Sequence, residues 1–131
     1  MKKVISIIVA IIIVVGGITS CKEVAPSTIV TSYYSPGDFF VTNVKNSKKL
    51  FKGGVVLIVE SVDEAASAEF LARENAVIRD KIIFIIRDME EVDIASAEGS
   101  EALRERIRSE LCERLDTTEI TGILFNDYVM Q

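Results

Sequence analysis

The stretch "RDKIIFIIRD", Arg79 to Asp88, holds five consecutive apolar residues between charged flanks. Its reading decides the fold. Taken alone, IIFII is short, β-branched and bounded by charges, the pattern of a buried strand. The sequence before it argues otherwise. From Asp63 the composition turns helical, and Leu71, Ile78, Ile82, Ile85 and Met89 fall at helical spacing. This predicts a helix over 63–88, buried on most sides near its C-terminal end.

Downstream, a second helix is clearer. Ser96 suits an N-cap, and Glu98 sits in the first turn near the positive end of the helix dipole. Leu103, Ile107, Leu111 and Leu115 recur every four residues and form one apolar face, with Cys112 flanking it as a partly buried thiol. The other face carries Glu101, Arg104, Glu105, Arg106, Arg108 and Glu110, whose mixed signs allow pairs of about 0.2–0.5 kcal/mol each. That is the pattern of a solvated face.

Upstream, "FFVTNV" (39–44) and "VVLIVE" (55–60) read as strands, the second without alternation and so buried on both faces. Asn46-Ser47 reads as a turn, Gly53-Gly54 as a bulge just ahead of the second strand, and the short connection predicts an antiparallel hairpin. The closing "EITGILFNDYVMQ" (119–131) reads as a strand that ties the terminus into the sheet. The expected fold class is α+β: an N-terminal membrane helix, then a small ββααβ domain, residues 37–131, with a mainly antiparallel sheet packed on two helices. Residues 22–36, "KEVAPSTIVTSYYSP", lack a clear period and read as a linker with a reach of roughly 20 Å. Tyr33 and Tyr34 within it suit docking on the membrane interface or on the domain, and docking on the domain is the expectation.

Residues 1–21 read as a membrane segment. Lys2 and Lys3 precede an uncharged apolar run from Val4 to Ile18, with Ile8, Ile12 and Val15 along it. Positive residues keep that end cytoplasmic and send the rest outward. Fifteen helical residues reach about 22 Å, short against a hydrocarbon core of about 30 Å but tolerable with local thinning. "ITSC", Ile18 to Cys21, also fits a bacterial lipobox. Cleavage there would leave Cys21 as a lipidated N-terminus, and two acyl chains suffice for stable anchoring. The retained span and the lipid anchor both stay open.

Composition limits the function. Beyond Cys21, thirteen basic side chains stand against twenty acidic ones, a net −7. Such a domain repels nucleic acid and gains nothing from anionic headgroups, leaving protein or cationic partners. Histidine is absent and there are only two cysteines, so the commonest general base is missing and a disulfide framework is not expected. There is no phosphate loop, zinc-ligand cluster or nucleophile motif. Glu90, Glu91 and Asp93 form a carboxylate cluster between the helices, of the kind that is usually solvated. The chain reads as an interaction protein, not an enzyme, with no cofactor, no metal and no small-molecule substrate.

Three stretches in order resemble the flagellar basal body-associated FliL family. "RENAVIRDKIIFIIRDM" (73–89) is similar to the family's Arg-x-x-x-x-Ile-Arg-Asp helix and its apolar run. "ASAEGSEALRERI" (95–107) matches its Ser/Thr-x-Glu-Gly start and Leu-Arg-x-x-Ile helix. "GILFNDYVMQ" (122–131) is similar to its terminal strand. The resemblance implies a stomatin/prohibitin-like periplasmic domain on a single-pass inner-membrane anchor, with a cytoplasmic N-terminus. It also implies self-association into a ring and support of the stator proteins MotA and MotB in swimming and swarming. It favours the helical reading of IIFII. The motif residues Arg73, Arg79, Asp80, Glu98, Gly99, Leu103, Tyr128 and Gln131 are candidate interface positions. For Arg73, Arg79 and Asp80 an exposed face with local ion pairs is the alternative. The front end departs from the family, whose members carry a longer cytoplasmic tail and a fuller span. An envelope lipoprotein scaffold held by Cys21 therefore remains the second expectation.

Overall fold

The structure, a computed structural model, describes residues 26–131. One long strand organises its sheet. β1 spans Val30–Tyr34, β2 Phe40–Asn43, β3 Leu50–Ser61 and β4 Ile120–Met130. β3 pairs with β4 along one side; on its other side β2 covers the first four residues and β1 the last five, all antiparallel. Along β3, Phe51, Val55, Leu57 and Val59 are buried, while Lys52 and Glu60 on the opposite face are exposed. That alternation is what a sheet covered on one face requires.

Four helices cover the buried face: α1 (Glu64–Arg73), α2 (Asn75–Asp88), α3 (Glu91–Ala95) and α4 (Ala97–Leu115). The disputed IIFII is helical. Ile82, Ile85 and Ile86 are fully buried, whereas Phe84 is 66% exposed, a pattern that a two-residue period cannot produce. With Ile78 they pack beside Leu103, Ile107 and Leu111 of α4 in one core. Each such side chain contributes about 1.5–3 kcal/mol by leaving water. Ser96 caps α4 as expected, its Oγ accepting the Gly99 N–H at 2.9 Å.

Several expectations need correction, beginning with "VVLIVE", which alternates and is buried on one face, not both. The residues read as a linker include a strand, because β3 is twelve residues long and β2 uses only four, leaving an edge that "VTSYY" covers. Tyr34 docks as expected, but Tyr33 stays 67% exposed. The helix expected over 63–88 is two helices offset at Glu74 (φ −86°, ψ 6°), and a short α3 precedes α4, so the order is βββααααβ and not ββααβ. The bulge falls on β4 and not just ahead of β3: Lys52 pairs with Val129 and Gly54 with Asn126, so two β4 residues, Asp127 and Tyr128, stand opposite Gly53. A Cβ at Gly53 would stand 2.7 Å from the Phe51 ring and 2.9 Å from the Asp127 carbonyl, so the two backbones approach there without room for a side chain. The proposed membrane-segment residues Val4, Ile8, Ile12, Val15, Ile18 and Cys21 lie outside the described residues. Among the described residues, no helix is long and apolar enough to cross a membrane.

Candidate interaction surfaces

Arg79 sits on α2 under the β1–β2 connection. Its guanidinium donates to the Pro36 carbonyl at 3.0 Å and the Phe39 carbonyl at 3.4 Å, and lies 4.5 Å from the centre of the Phe40 ring. A planar fork with five donors suits two separated carbonyls, and a lysine would reach only one. Nearby, the Tyr34 hydroxyl donates to Asn75 Oδ1 at 2.9 Å. Arg79 therefore straps the first two strands to the helical layer.

A second group of motif residues builds the corner between α3 and α4. Gly99 lies against the Asp93 backbone, and a Cβ built on it would fall inside the Asp93 carbonyl oxygen. Only glycine lets the two helices turn this closely. Tyr128, on β4, donates its hydroxyl to the Ile94 carbonyl at 2.7 Å and packs edge-on against Phe51. Burial raises its pKa. Leu103 belongs to the core. Gln131 completes the sheet through its backbone, exchanging N–H···O bonds with Leu50 at 2.7 and 2.9 Å.

The helices are cross-linked by charge. Glu110 on α4 receives Lys81 of α2 at 2.6 Å and Arg106 at 2.7 Å, and Arg106 also reaches Asp88 of α2 at 2.8 Å. Hydrogen bonds from Lys81 and Arg106 hold the Glu110 carboxyl below its usual range, and Arg106 does the same to Asp88. The spacing Arg106/Glu110 was legible as a helix pair, but its partners on α2 were not.

The motif residues thus divide by role. Arg79, Gly99, Leu103, Tyr128 and Gln131 hold the fold together. Arg73, Asp80 and Glu98 are exposed, with Arg73 lying 3.4 Å from Glu74 and 5.4 Å from the Phe70 ring. The open face of the sheet carries exposed Tyr33, Val41, Leu124 and Val129. Of the carboxylate cluster, Glu91 accepts from Ser47 at 2.9 Å and from Lys49, closing the β2–β3 turn onto α3. Among the described residues, no group of three or more acidic or cysteine side chains is placed to hold a metal ion. A depression of about 360 Å³ is lined by Ala66, Ser67, Phe70, Leu115, Asp116, Thr117 and Glu119. Ser67 donates to Glu119 across it at 2.6 Å.

A search of curated proteins finds no match. The family model described as "Flagellar basal body-associated protein FliL" matches residues 33–131, from the last two residues of β1 through Gln131. That span takes in the Arg79 strap, the Gly99 corner and the Tyr128 strand together. The chain belongs to the FliL family of flagellar basal-body proteins, a family of structural components and not a known enzyme family.

Proposed function

We propose that this protein stabilises the stator units of the flagellar motor, contacting MotA and MotB from the outer side of the inner membrane and so supporting torque. The observation that carries this reading is the family match over residues 33–131. The sequence supports the placement: a Lys-flanked apolar run precedes the domain, and a net −7 beyond it favours protein partners over nucleic acid or anionic lipid. The domain acts as a scaffold that also binds copies of itself around the stators, and Arg73, Asp80 and Glu98 are available on its surface for such contacts. A membrane tether raises local concentration, so weak interfaces suffice.

An in-frame deletion tests this. The expected strain grows normally but swims and swarms poorly, most clearly in viscous medium. Unimpaired motility in a strain without a second copy of the gene refutes the proposal. The "ITSC" sequence supports a second reading, an envelope lipoprotein scaffold serving a partner other than the motor. The mass of the membrane-extracted protein separates them. Retention of residues 1–20 supports the spanning form, and their loss with a diacylglyceryl group on Cys21 supports the lipoprotein.

A further inference from the structure

The tyrosine pair of "VTSYY" is split by the sheet. Tyr34 turns to the helices and donates to Asn75, whereas Tyr33 stands on the open face, 67% exposed. Opposite Tyr33 on β3 is Ile58, and opposite Ile58 on β4 is Gly122. Residues paired in this way share a face. A Cβ on Gly122 would lie 2.9 Å from Ile58 Cδ1, so the Ile58 side chain lies across β4 where the glycine leaves it room. Leu124 is exposed beside it on the same face. Just past the last pair of β1 with β3, Val30 with Ser61, Ile29 and Val62 are 64% and 62% exposed. Apolar side chains grouped like this, and not scattered singly, mark an interaction site.

This corner is where the chain arrives from its apolar segment. Ile29 stands eight residues after Cys21, the end of the apolar run and of the "ITSC" box. Eight residues reach at most about 29 Å, and a flexible chain of that length averages about 16 Å. Either anchor, a span or a lipid on Cys21, therefore holds the corner within reach of a bilayer surface. The rest of the sheet leads away from it. β3 is twelve residues long, about 40 Å, and the β2–β3 turn with Lys48 and Lys49 lies at its far end. At the near end Glu60, Asp63 and Glu64 surround Val62 in the chain. An anionic surface would thus attract the wrong end. What the near end offers a bilayer is apolar and aromatic, and tyrosine is a residue of the membrane–water interface.

We propose that Ile29, Tyr33, Ile58 and Val62 seat the domain on the headgroup layer of uncharged lipid. The Tyr33 hydroxyl stays among the headgroups while its ring and the neighbouring aliphatic side chains enter the boundary with the acyl chains. The β2–β3 turn and its lysines then stand off from the bilayer. The tether supplies the proximity, so a few side chains suffice for the contact. Their effect is to fix the tilt of the domain on its anchor. This inference rests on the membrane-anchored reading proposed above and names the surface that meets the bilayer.

The chain contains no tryptophan, so Tyr33→Trp places a single indole at the corner. Val41→Trp places one on the same face toward the far end, opposite Lys52. Both side chains are exposed, and an unchanged urea midpoint verifies folding of each variant. The full-length proteins, extracted from cell membranes, are reconstituted into phosphatidylcholine vesicles and floated on a density gradient. The indole at position 33 is expected to emit at shorter wavelength and to lose emission at least about twofold in brominated phosphatidylcholine. The indole at position 41 does neither. Ile29→Ser with Val62→Ser weakens the quenching at position 33, and so does added phosphatidylglycerol, which repels Glu60, Asp63 and Glu64. Quenching that is absent in floating protein, equal at both positions, unmoved by the serine pair or increased by phosphatidylglycerol overturns the contact but leaves the anchor standing. Protein that does not float with the vesicles overturns both. Shielding of the indole only in complexes with another protein also overturns the proposal.

Discussion

Replacing Gly99 by alanine sets two physical effects against each other. Gly99 lies in the first turn of α4, and by helix propensity alone Ala is favoured over Gly by up to about 1 kcal/mol. The tertiary structure opposes this. The new Cβ would fall inside the Asp93 carbonyl oxygen, a backbone atom that cannot rotate away. Relief requires the α3–α4 corner to open. That movement strains the Ser96 cap at 2.9 Å, worth about 1 kcal/mol. It also disturbs the Tyr128–Ile94 bond at 2.7 Å, worth about 0.5–1.5 kcal/mol. Overpacking of a tight site adds about 1–3 kcal/mol. The clash wins, and the expected net loss is about 1–3 kcal/mol. For a domain of this size that lowers Tm by roughly 4–8 °C per kcal/mol. Urea unfolding followed by circular dichroism measures it, with exposed Glu98→Ala as the control, expected within about 0.5 kcal/mol of wild type. A Gly99→Ala protein as stable as wild type, or more so, would refute the close approach of the two helices.

Arg79→Ala removes both carbonyl contacts of the strap and the stacking on Phe40, and should cost about 1–3 kcal/mol. Hydrogen exchange should then show β1 losing protection ahead of β3 and β4; uniform loss would contradict the strap. Tyr128→Phe leaves the Ile94 carbonyl without its donor, for a loss of about 1–2 kcal/mol in the same urea assay, and no change would count against that bond. The Glu110 and Asp88 carboxyls have folded pKa values below their unfolded ones, set mainly by Lys81 and Arg106 for Glu110 and by Arg106 for Asp88. Their contribution is complete above the unfolded carboxylate pKa of about 4 and is lost as pH falls through the folded values. The urea midpoint should therefore hold steady from neutral pH down to about 5 and fall below it. Glu110→Gln should flatten that fall, and an identical fall in the variant would show that the network does not act.

Local periodicity and capping chemistry were legible in the sequence. The four-residue stripe of Leu103, Ile107 and Leu111 and the Ser96 cap depend only on neighbours in the chain, and they stand in the structure as read. The spacing of Ile78 and Ile82 favoured a helix for IIFII, and the family resemblance settled what those residues alone left ambiguous. β1 was not legible. "VTSYY" forms a strand because an unfilled length of β3 lies beside it, and the length of β3 reveals itself only when β2 is seen to occupy four of its residues. The motif residues behaved likewise. Their spacing pointed to the family, but spacing could not tell a surface residue from a structural one. Arg79 looked like a charge on a helix face, and it became a strap because two carbonyls forty residues away come within its reach. Gly99 looked like a poor helix residue, and it is required because the Asp93 backbone crosses beside it. The sequence by itself determined the helical character of 64–88, the cap and apolar stripe of the last helix and the charge balance, which are set by interactions over a few residues, but not the break at Glu74 or the short α3. Only the tertiary structure decided which strands share an edge and which side chains meet, because those contacts join segments that no local pattern relates.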